Sequence, residues 1–206
     1  VLEENEYRYH ILSFLDEETN RILYQPGRTF QKVRGIILGY LRRLSHVWQS
    51  RNADAVLIHR EATPLGPPWV EYLVVKVLGK PIIYDYDDAI WLADQSGVNR
   101  WVSWLKWRSK VGKICRWSYR VSAGNAYLAE FAQQLGATAV VNPTTIDTQH
   151  YHNQIKNQHS KPLTIGWTGS HSTLKYLALV APALHQLSES RNFRVVVIAN
   201  RPPDYD

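Results

Sequence analysis

Apolar and polar positions alternate along this chain in a pattern that predicts parallel β-sheet with crossover helices. Apolar runs of four to six residues are separated by longer segments in which apolar residues recur every three or four positions. The short runs predict buried strands, and the longer segments predict amphipathic helices. Because strands and helices take turns, we expect an α/β fold with Rossmann-like parallel sheets.

The pattern assigns seven strands and five helices. The predicted strands are residues 9–14, 55–58, 81–84, 120–123, 138–141, 163–167 and 194–199. The predicted helices are residues 29–49, 67–78, 100–117, 126–135 and 172–188. Gly79 and Gly136 directly follow two of these helices, where a left-handed residue commonly ends the helix.

A polar stretch at residues 150–161, rich in Asn, Gln and His, interrupts the pattern before it restarts at Leu163. We interpret this stretch as a crossing between an N-terminal domain, residues 1–155, and an incomplete second domain, residues 156–206. Residue 1 is Val and the chain contains no Met, so we expect further residues upstream. Residues 201–206 follow an apolar run without forming a closing element, which predicts a continuation of the second domain.

Composition narrows the class of protein. No run of 18 apolar residues occurs, so the sequence predicts no spanning helix. The single cysteine, Cys115, excludes an internal disulfide, and no signal-peptide pattern opens the chain. These features favour a reducing compartment, and we expect a cytoplasmic protein.

Charge is unevenly distributed along the chain, whose formal net charge is +6. Residues 21–51 and residues 98–120 each carry seven basic side chains and no acidic one. The remainder of the chain is net acidic. This asymmetry predicts an anionic partner such as a phosphate, a nucleic acid or an acidic lipid.

The segment LTIGWTGSHST, residues 163–173, joins a buried strand to a helix start through a turn with two glycines. Gly166 and Gly169 allow close backbone approach beside Trp167, and free N–H groups at a helix start attract phosphate. We therefore consider these residues, with Ser170 and Ser172, as a candidate phosphate site. The alternative is a capped turn in which Ser170 or Ser172 is the N-cap.

Three carboxylates, Asp85, Asp87 and Asp88, lie at the end of predicted strand 81–84, where open α/β sheets bind ligands. They could bind a metal-bridged diphosphate or the hydroxyls of an acceptor. The alternative is structural: Asp87 or Asp88 caps a following helix, and Asp85 pairs with a basic neighbour.

His59, Arg60 and Glu61 follow the preceding strand, 55–58, and are expected at the same sheet edge as Asp85. His59 or Glu61 could bind a sugar hydroxyl or take its proton, and Arg60 could neutralise phosphate. His59 could instead be a hydrogen-bonded residue at a strand end. The other histidines show no zinc spacing, and we assign no metal site.

The residues together resemble a known family, the bacterial glycosyltransferases called group 1 or family four, which have the GT-B fold. The resemblance spans residues 9–199 and rests on the order of five segments. These are ADAVLIHRE at 53–61, YDYDD at 84–88, GNAYLA at 124–129, NPTTID at 142–147 and IGWTGS at 165–170.

The resemblance implies two Rossmann-like domains that face a cleft, with the acceptor on the first and a nucleotide-diphosphate sugar on the second. Residues 166–170 would face the donor diphosphate, without a fixed metal or a tightly bound cofactor. The implied acceptor-side residues are His59, Arg60, Glu61, Asp85, Asp87, Asp88 and Asn125, with His59, Glu61 and Asp85 catalytic. The implied reaction transfers a sugar to a saccharide or lipid-linked acceptor in envelope polysaccharide or glycolipid synthesis.

The sequence departs from the family at both ends. The first strand with its Gly-rich loop is not present, and no Glu pair eight positions apart occurs. We therefore do not expect this chain to turn over by itself. One alternative is a GT-A transferase that binds a metal through Asp85 and Asp87. Another is a non-catalytic basic module for membranes or nucleic acid, although no nucleic-acid signature is present and we expect no specific nucleic acid partner.

The pattern of residues 98–120 predicts an amphipathic helix. We expect this helix to dock the first domain on an anionic membrane surface, at the inner face of the membrane. Trp101, Trp104, Leu105, Val111 and Ile114 form an apolar stripe. The cations expected to contact lipid are Lys106, Arg108, Lys110 and Lys113. The alternative is a stripe that packs against the sheet, with the basic residues solvated.

Overall fold

The chain divides into two compact units, Val1–Thr145 and Ile146–Asp206. This computed structural model describes residues 6–23, 25–92, 106–155 and 162–200. The division falls earlier than residue 155, where we had placed the domain boundary. Each unit combines helices with one parallel sheet, of four strands in the first unit and two in the second. The chain is thus mixed α/β, as the alternating pattern predicted.

The sheet of the first unit has four parallel strands in the order β1-β2-β3-β4. These strands are β1 Val56–His59, β2 Ile82–Tyr86, β3 Arg120–Ala123 and β4 Ala139–Val141. All four coincide with predicted strands to within two residues. Because consecutive strands are neighbours in space, the four carboxyl ends lie in one row along one sheet edge.

Five helices belong to the described residues of this unit. They are α1 Glu17–Leu23, α2 Thr29–Ser50, α3 Trp69–Tyr72, α4 Lys110–Trp117 and α5 Ala126–Gln134. The helix α3 continues as a π-helical turn, Leu73–Val77. Gly79 and Gly136 have φ angles of 65° and 80°, so both predicted left-handed positions are confirmed.

One face of the sheet forms the core of the first unit. Alternate residues of β2, Ile82, Tyr84 and Tyr86, are fully buried, and α4 and α5 contribute Ile114, Cys115 and Leu128 to the same cluster. The Tyr86 hydroxyl donates to the Leu128 carbonyl at 3.1 Å. Burial raises the pKa of the Cys115 thiol to about 11. The opposite face of β2 carries Asp85, which is accordingly placed outside this core.

The predicted strand at residues 9–14 is wrong, because side chains of α2 take the place of a neighbouring strand. Arg42 donates to the Phe14 carbonyl at 2.9 Å and Arg43 donates to the Leu12 carbonyl at 2.7 Å. The Phe14 ring packs edge-on against Tyr40, with ring centroids 5.3 Å apart. The segment is therefore held by side chains of α2 and pairs with no strand of the described residues.

The long helix α2 buries small and polar residues and exposes apolar ones. The buried residues are Gly35, Gly39, His46 and Ser50. The exposed apolar stripe on the opposite side comprises Phe30, Val33, Ile37, Leu41, Leu44 and Trp48. Close packing explains the glycines, since a Cβ at Gly35 would lie 2.3 Å from Thr19 Cγ2 of α1.

The second unit is a β-α-β arrangement. Strands β5, Leu163–Thr168, and β6, Phe193–Ile198, pair in parallel. A 3₁₀-helix, His171–Tyr176, leads into α6, Leu177–Ser190, which connects the two strands. Both strands were predicted. Within the described ranges of the two units, no helix is long and apolar enough to cross a membrane.

Candidate functional site

Polar side chains meet at the carboxyl edge of the four-stranded sheet. His59, Asp85 and Ser122 are register partners on β1, β2 and β3, and their side chains share one face. His59 Nδ1 lies 2.7 Å from Asp85 Oδ2. The Ser122 hydroxyl donates to Asp85 Oδ1 at 2.7 Å, and Asn142 Nδ2 lies 3.2 Å from Ser122 Oγ. The predicted proximity of His59 and Asp85 is confirmed.

Arg60 organises a second cluster beside this pair. Its guanidinium donates to Asp87 Oδ1 at 2.9 Å through Nη2 and at 3.1 Å through Nε, and to Asp88 Oδ2 at 2.6 Å. This pairing holds the pKa of Asp87 below its ordinary value. Asp87 and Asp88 thus pair with Arg60, and Asp85 pairs with His59, which agrees with the structural alternative for Asp85. The start of the predicted helix 100–117 lies outside the described residues.

The backbone of Arg60 is left-handed, with φ of 61°, which is uncommon for a residue with a Cβ. Two hydrogen bonds hold it there. Its N–H donates to the Asp85 carbonyl at 2.7 Å, and the Tyr84 hydroxyl donates to its carbonyl at 2.7 Å. A conformation of this kind persists only where surrounding contacts fix it, and such residues cluster at binding sites.

Residues 124–125 pack against the segment that follows β2, next to this cluster. The Gly124 N–H donates to the Tyr86 carbonyl at 3.0 Å, and a Cβ at Gly124 would lie 3.1 Å from Asp87 Cα. Asn125 is the N-cap of α5, and its Oδ1 accepts from Leu128 N–H at 3.0 Å. The structure thus gives Asn125 a capping role, and its acceptor-side role stays a prediction.

Glu61 does not join the His59–Asp85 pair. Its Oε2 lies 2.7 Å from Lys110 Nζ, which also donates to the Thr63 carbonyl at 2.7 Å. Glu61 instead lines a separate cavity of about 670 Å³. The other walls of this cavity are mostly apolar and include Phe14, Leu23, Ile36 and Pro64.

The sequence reasoning missed one buried carboxyl group, that of Glu71, which is 1% exposed. Its Oε1 accepts from the Ala62 N–H at 3.1 Å. Its Oε2 is buried and has no hydrogen-bond partner among the described residues. Burial raises the pKa of Glu71, and hydrogen bonds from backbone N–H groups, followed by the positive charge of Lys110, partly oppose that shift. The only sequence signal was a Glu in predicted helix 67–78, where Lys76 is the one other charged residue.

Lys110 is wrong as a membrane contact, because only 1% of its surface is exposed. Val111 and Ile114, two members of the predicted stripe, are buried in the core, which confirms that this part of the stripe packs inside, whereas Lys110 is not solvated as the alternative also expected. Lys113 is exposed, whereas Lys106 and Arg108 are half-buried. The other two contact residues, Trp101 and Trp104, lie outside the described residues.

Two backbone N–H groups of the loop after β5 donate hydrogen bonds within the second unit. Gly169 N–H donates to the Ile198 carbonyl at 3.1 Å, and Ser170 N–H donates to Thr173 Oγ1 at 3.0 Å. These two N–H groups are therefore not free, contrary to our expectation for a phosphate site. Ser170 and Thr173 form a capping box, so Ser170 as N-cap is confirmed. The side chain of Ser172 lies outside the described part.

Glycine is required in this loop at one position. A Cβ at Gly169 would lie 2.4 Å from Trp167 Cη2 and 2.6 Å from Thr173 Oγ1. A Cβ at Gly166 would meet no described atom within 4 Å. Packing of the Trp167 ring thus explains Gly169 without a ligand.

Comparison with known proteins adds no family assignment. A scan against protein-family models finds no match, and a search of curated proteins finds no matching sequence. The two parallel sheets, of four and two strands, are consistent with Rossmann-like folding. What the chain shows is therefore an α/β fold with a polar cluster at one sheet edge.

Proposed function

We propose that this chain is part of a GT-B-type glycosyltransferase that uses a nucleotide-diphosphate sugar as donor. The proposed acceptor is a hydroxyl of a saccharide or of a lipid-linked compound used in envelope polysaccharide or glycolipid synthesis. The observation that carries the proposal is the His59–Asp85 pair at the carboxyl edge of the sheet, 2.7 Å apart. Ligands of open α/β sheets bind beyond this edge.

The pair supplies a proton acceptor for hydroxyl chemistry. In the proposed step the acceptor oxygen bonds to the anomeric carbon while the bond from that carbon to the diphosphate oxygen breaks. The hydroxyl proton moves to a ring nitrogen of His59, and the nucleoside diphosphate leaves with the bonding electrons. Asp85 orients the ring and stabilises the imidazolium that forms, as carboxylates do in other His–Asp pairs.

The flanking charges fit a hydroxylated acceptor. Arg60, Asp87 and Asp88 are between two-fifths and two-thirds exposed, so they can exchange part of their mutual hydrogen bonding for sugar hydroxyls. In the proposal these three residues, with Glu61 and Asn125, bind the acceptor. Glu61 is held by Lys110, which favours a binding role for it over proton transfer.

We place the donor on the second unit in this proposal, and the β-loop-helix order of that unit supports the choice. We propose that the diphosphate binds at residues 166–172, where Gly166 and Trp167 belong to β5, Gly169 and Ser170 follow the strand, and Ser172 lies in the 3₁₀-helix. Because the Gly169 and Ser170 N–H groups have partners inside the fold, binding through them would require the loop to rearrange.

A metal-dependent GT-A enzyme is the alternative enzyme class. It would use Asp85 and Asp87 together on one cation. In this structure Asp85 accepts from His59 and Ser122, whereas Asp87 accepts from Arg60. The two carboxylates have separate partners, and this separation favours the metal-free proposal.

The experiment compares ligand binding with transfer in the full-length protein. Uridine, guanosine and cytidine diphosphate sugars are screened by thermal shift, where a ligand at 100 times its Kd stabilises by about 2.7 kcal/mol. With the donor that binds, we expect His59→Gln to lower transfer by about 10²- to 10⁴-fold and to leave donor affinity unchanged.

The control is His10→Gln, a change at an exposed histidine outside the sheet. It should transfer at the wild-type rate. If no nucleotide sugar stabilises the protein, or if His59→Gln transfers as well as His10→Gln, the proposed function is refuted.

A further inference from the structure

A row of four polar side chains crosses all four strands of the first sheet at their carboxyl ends. His59 belongs to β1, Asp85 to β2 and Ser122 to β3, and Asn142 directly follows β4. The Asn142 N–H donates to the Ala123 carbonyl at 2.8 Å, so its backbone continues the sheet pairing. Every member of the row is thus anchored by the sheet itself.

The chemistry of the four groups fixes the direction of every hydrogen bond in the row. An ionised carboxylate only accepts, so the single Ser122 hydroxyl proton is donated to Asp85 Oδ1, at 2.7 Å. Ser122 Oγ can then only accept from its other neighbour, which requires the Asn142 amide nitrogen to face it, at 3.2 Å.

The same reasoning fixes the histidine. Asp85 Oδ2 accepts from His59, so the ring nitrogen at 2.7 Å, Nδ1, carries the hydrogen. A neutral imidazole carries a hydrogen on only one of its two nitrogens, which leaves Nε2 as an acceptor. More than half of the His59 side chain is exposed, so packing alone does not hold this ring, and the carboxylate must.

We infer that Ser122 and Asn142 are positioning residues that, through Asp85, hold His59 in the tautomer whose Nε2 accepts a proton. The inference rests on the proposed function for its use in catalysis, where Nε2 receives the proton of the acceptor hydroxyl. Neither residue is expected to touch the reacting atoms. Their contribution is to remove alternative orientations of the Asp85 carboxylate, and thereby of the ring.

The test measures the tautomer directly, by ¹⁵N NMR of the His59 ring at alkaline pH, where the imidazole is neutral. The signals are assigned by difference with His59→Gln. We expect the Nδ1–H form to exceed the other by at least about tenfold in the wild type, as one hydrogen bond to a charged group allows.

Two variants remove the row in different ways. Ser122→Ala deletes the link, and Asn142→Asp is nearly isosteric but turns the donor into an acceptor that competes for the Ser122 proton. The Nδ1–H excess should fall severalfold in both. Controls are Ser118→Ala, whose hydroxyl donates only to the Ile114 carbonyl, and Asn192→Asp, an exposed change in the second unit.

Activity separates this inference from the proposed function. We expect Ser122→Ala to lower kcat about tenfold with little change in the donor KM, because one hydrogen bond to a charged group is lost. An unchanged tautomer ratio in both variants overturns the inference, whatever the activity. If the tautomer ratio shifts in both variants but His59→Gln still transfers sugar at the full rate, the inference about Ser122 and Asn142 is supported and the proposed function is refuted.

Discussion

At the residue scale, the buried amine of Lys110 acts on two carboxyl groups, those of Glu61 and Glu71, which have different surroundings. Glu61 is partly exposed and pairs with Lys110 at 2.7 Å. Glu71 is 1% exposed, and its Oε1 accepts from the Ala62 N–H. Lys110 thus forms an ion pair with Glu61, while burial raises the pKa of Glu71 and favours its protonated form.

Glu71 makes the stability of the first unit depend on pH. Its pKa in the folded protein lies above its ordinary value of 4.5, so the folded state retains a proton that the unfolded chain releases. The free energy of unfolding therefore falls as pH rises from about 4.5 through the folded pKa. We expect Glu71→Gln to flatten this decline and to raise Tm at neutral pH.

Scanning calorimetry from pH 4 to pH 8, a range chosen around the carboxyl pKa values, checks this expectation. Glu130→Gln, at an exposed site, is the control and should reproduce the wild-type profile. A Glu71→Gln profile parallel to the wild type would show that Glu71 is ionised in the folded protein.

Lys110→Met tests how much the buried amine contributes to the stability of the first unit. The Thr63 carbonyl loses its donor from Lys110 Nζ, at 2.7 Å, and Glu61 loses its partner. We expect the free energy of unfolding to fall by about 1–3 kcal/mol, the cost of an unsatisfied buried group. Urea denaturation measures the loss.

The matched control is Lys113→Met, on the exposed side of the same helix. It should change the free energy of unfolding by no more than about 0.5 kcal/mol. Equal effects of the two substitutions would mean that Lys110 is a surface residue, as the sequence had suggested.

At the element scale, α2 reverses the usual relation between residue type and burial. Gly35 packs against Thr19 of α1, and a methyl group there would need the Thr19 side chain to move. Leu41 lies on the exposed stripe. We expect Gly35→Ala to destabilise by about 1–3 kcal/mol through overpacking, and Leu41→Ala to change stability by no more than about 0.5 kcal/mol.

Chemical denaturation of the two variants gives the comparison. Gly112→Ala in α4 is the control for the glycine change, because its Cβ would lie at an ordinary 3.4 Å from Leu135 Cδ1. That variant should be neutral or stabilised, since Ala favours helix over Gly. A loss of about 2–5 kcal/mol for Leu41→Ala would instead mark the stripe as buried.

Periodicity predicted most elements, and its failure at residues 9–14 has a physical cause. An apolar run satisfies the pattern of a strand, but a strand also needs backbone partners. Here the Leu12 carbonyl accepts from Arg43 and the Phe14 carbonyl from Arg42, about thirty residues away in sequence. The short helix α1 was missed although Asp16 caps it, accepting from Thr19 N–H at 2.8 Å.

From the sequence, only those site residues that lie at the ends of predicted strands could be identified. His59 and Asp85 each follow or end an apolar run, which placed them at one edge. Ser122 lies within a predicted strand and Asn142 just after one, and neither residue type marks a site by itself. Their hydrogen bonds depend on the register between β2, β3 and β4, which the pattern does not define.

At the scale of the whole molecule, the two acid-free stretches are less available to an anionic partner than their charge count implied. Arg43 Nε donates to the Ala62 carbonyl at 2.7 Å, Arg42 pairs with Asp16 at 3.3 Å, and Lys110 pairs with Glu61. These cations stabilise loops of the first unit. Part of the positive charge is therefore internal, which weakens the inference from net charge to an anionic partner.

The burial of Cys115 makes the protein its own reporter of core opening. It is the single thiol of the sequence, it has no exposed surface, and the Tyr86 hydroxyl lies 3.9 Å from its sulfur. A thiol reagent can reach it only through transient unfolding of the surrounding cluster, so the labelling rate measures how often that cluster opens. We expect slow labelling in native buffer and rapid labelling in urea, followed by mass spectrometry. Equal rates in both would mean that the core around Tyr86 is open to solvent.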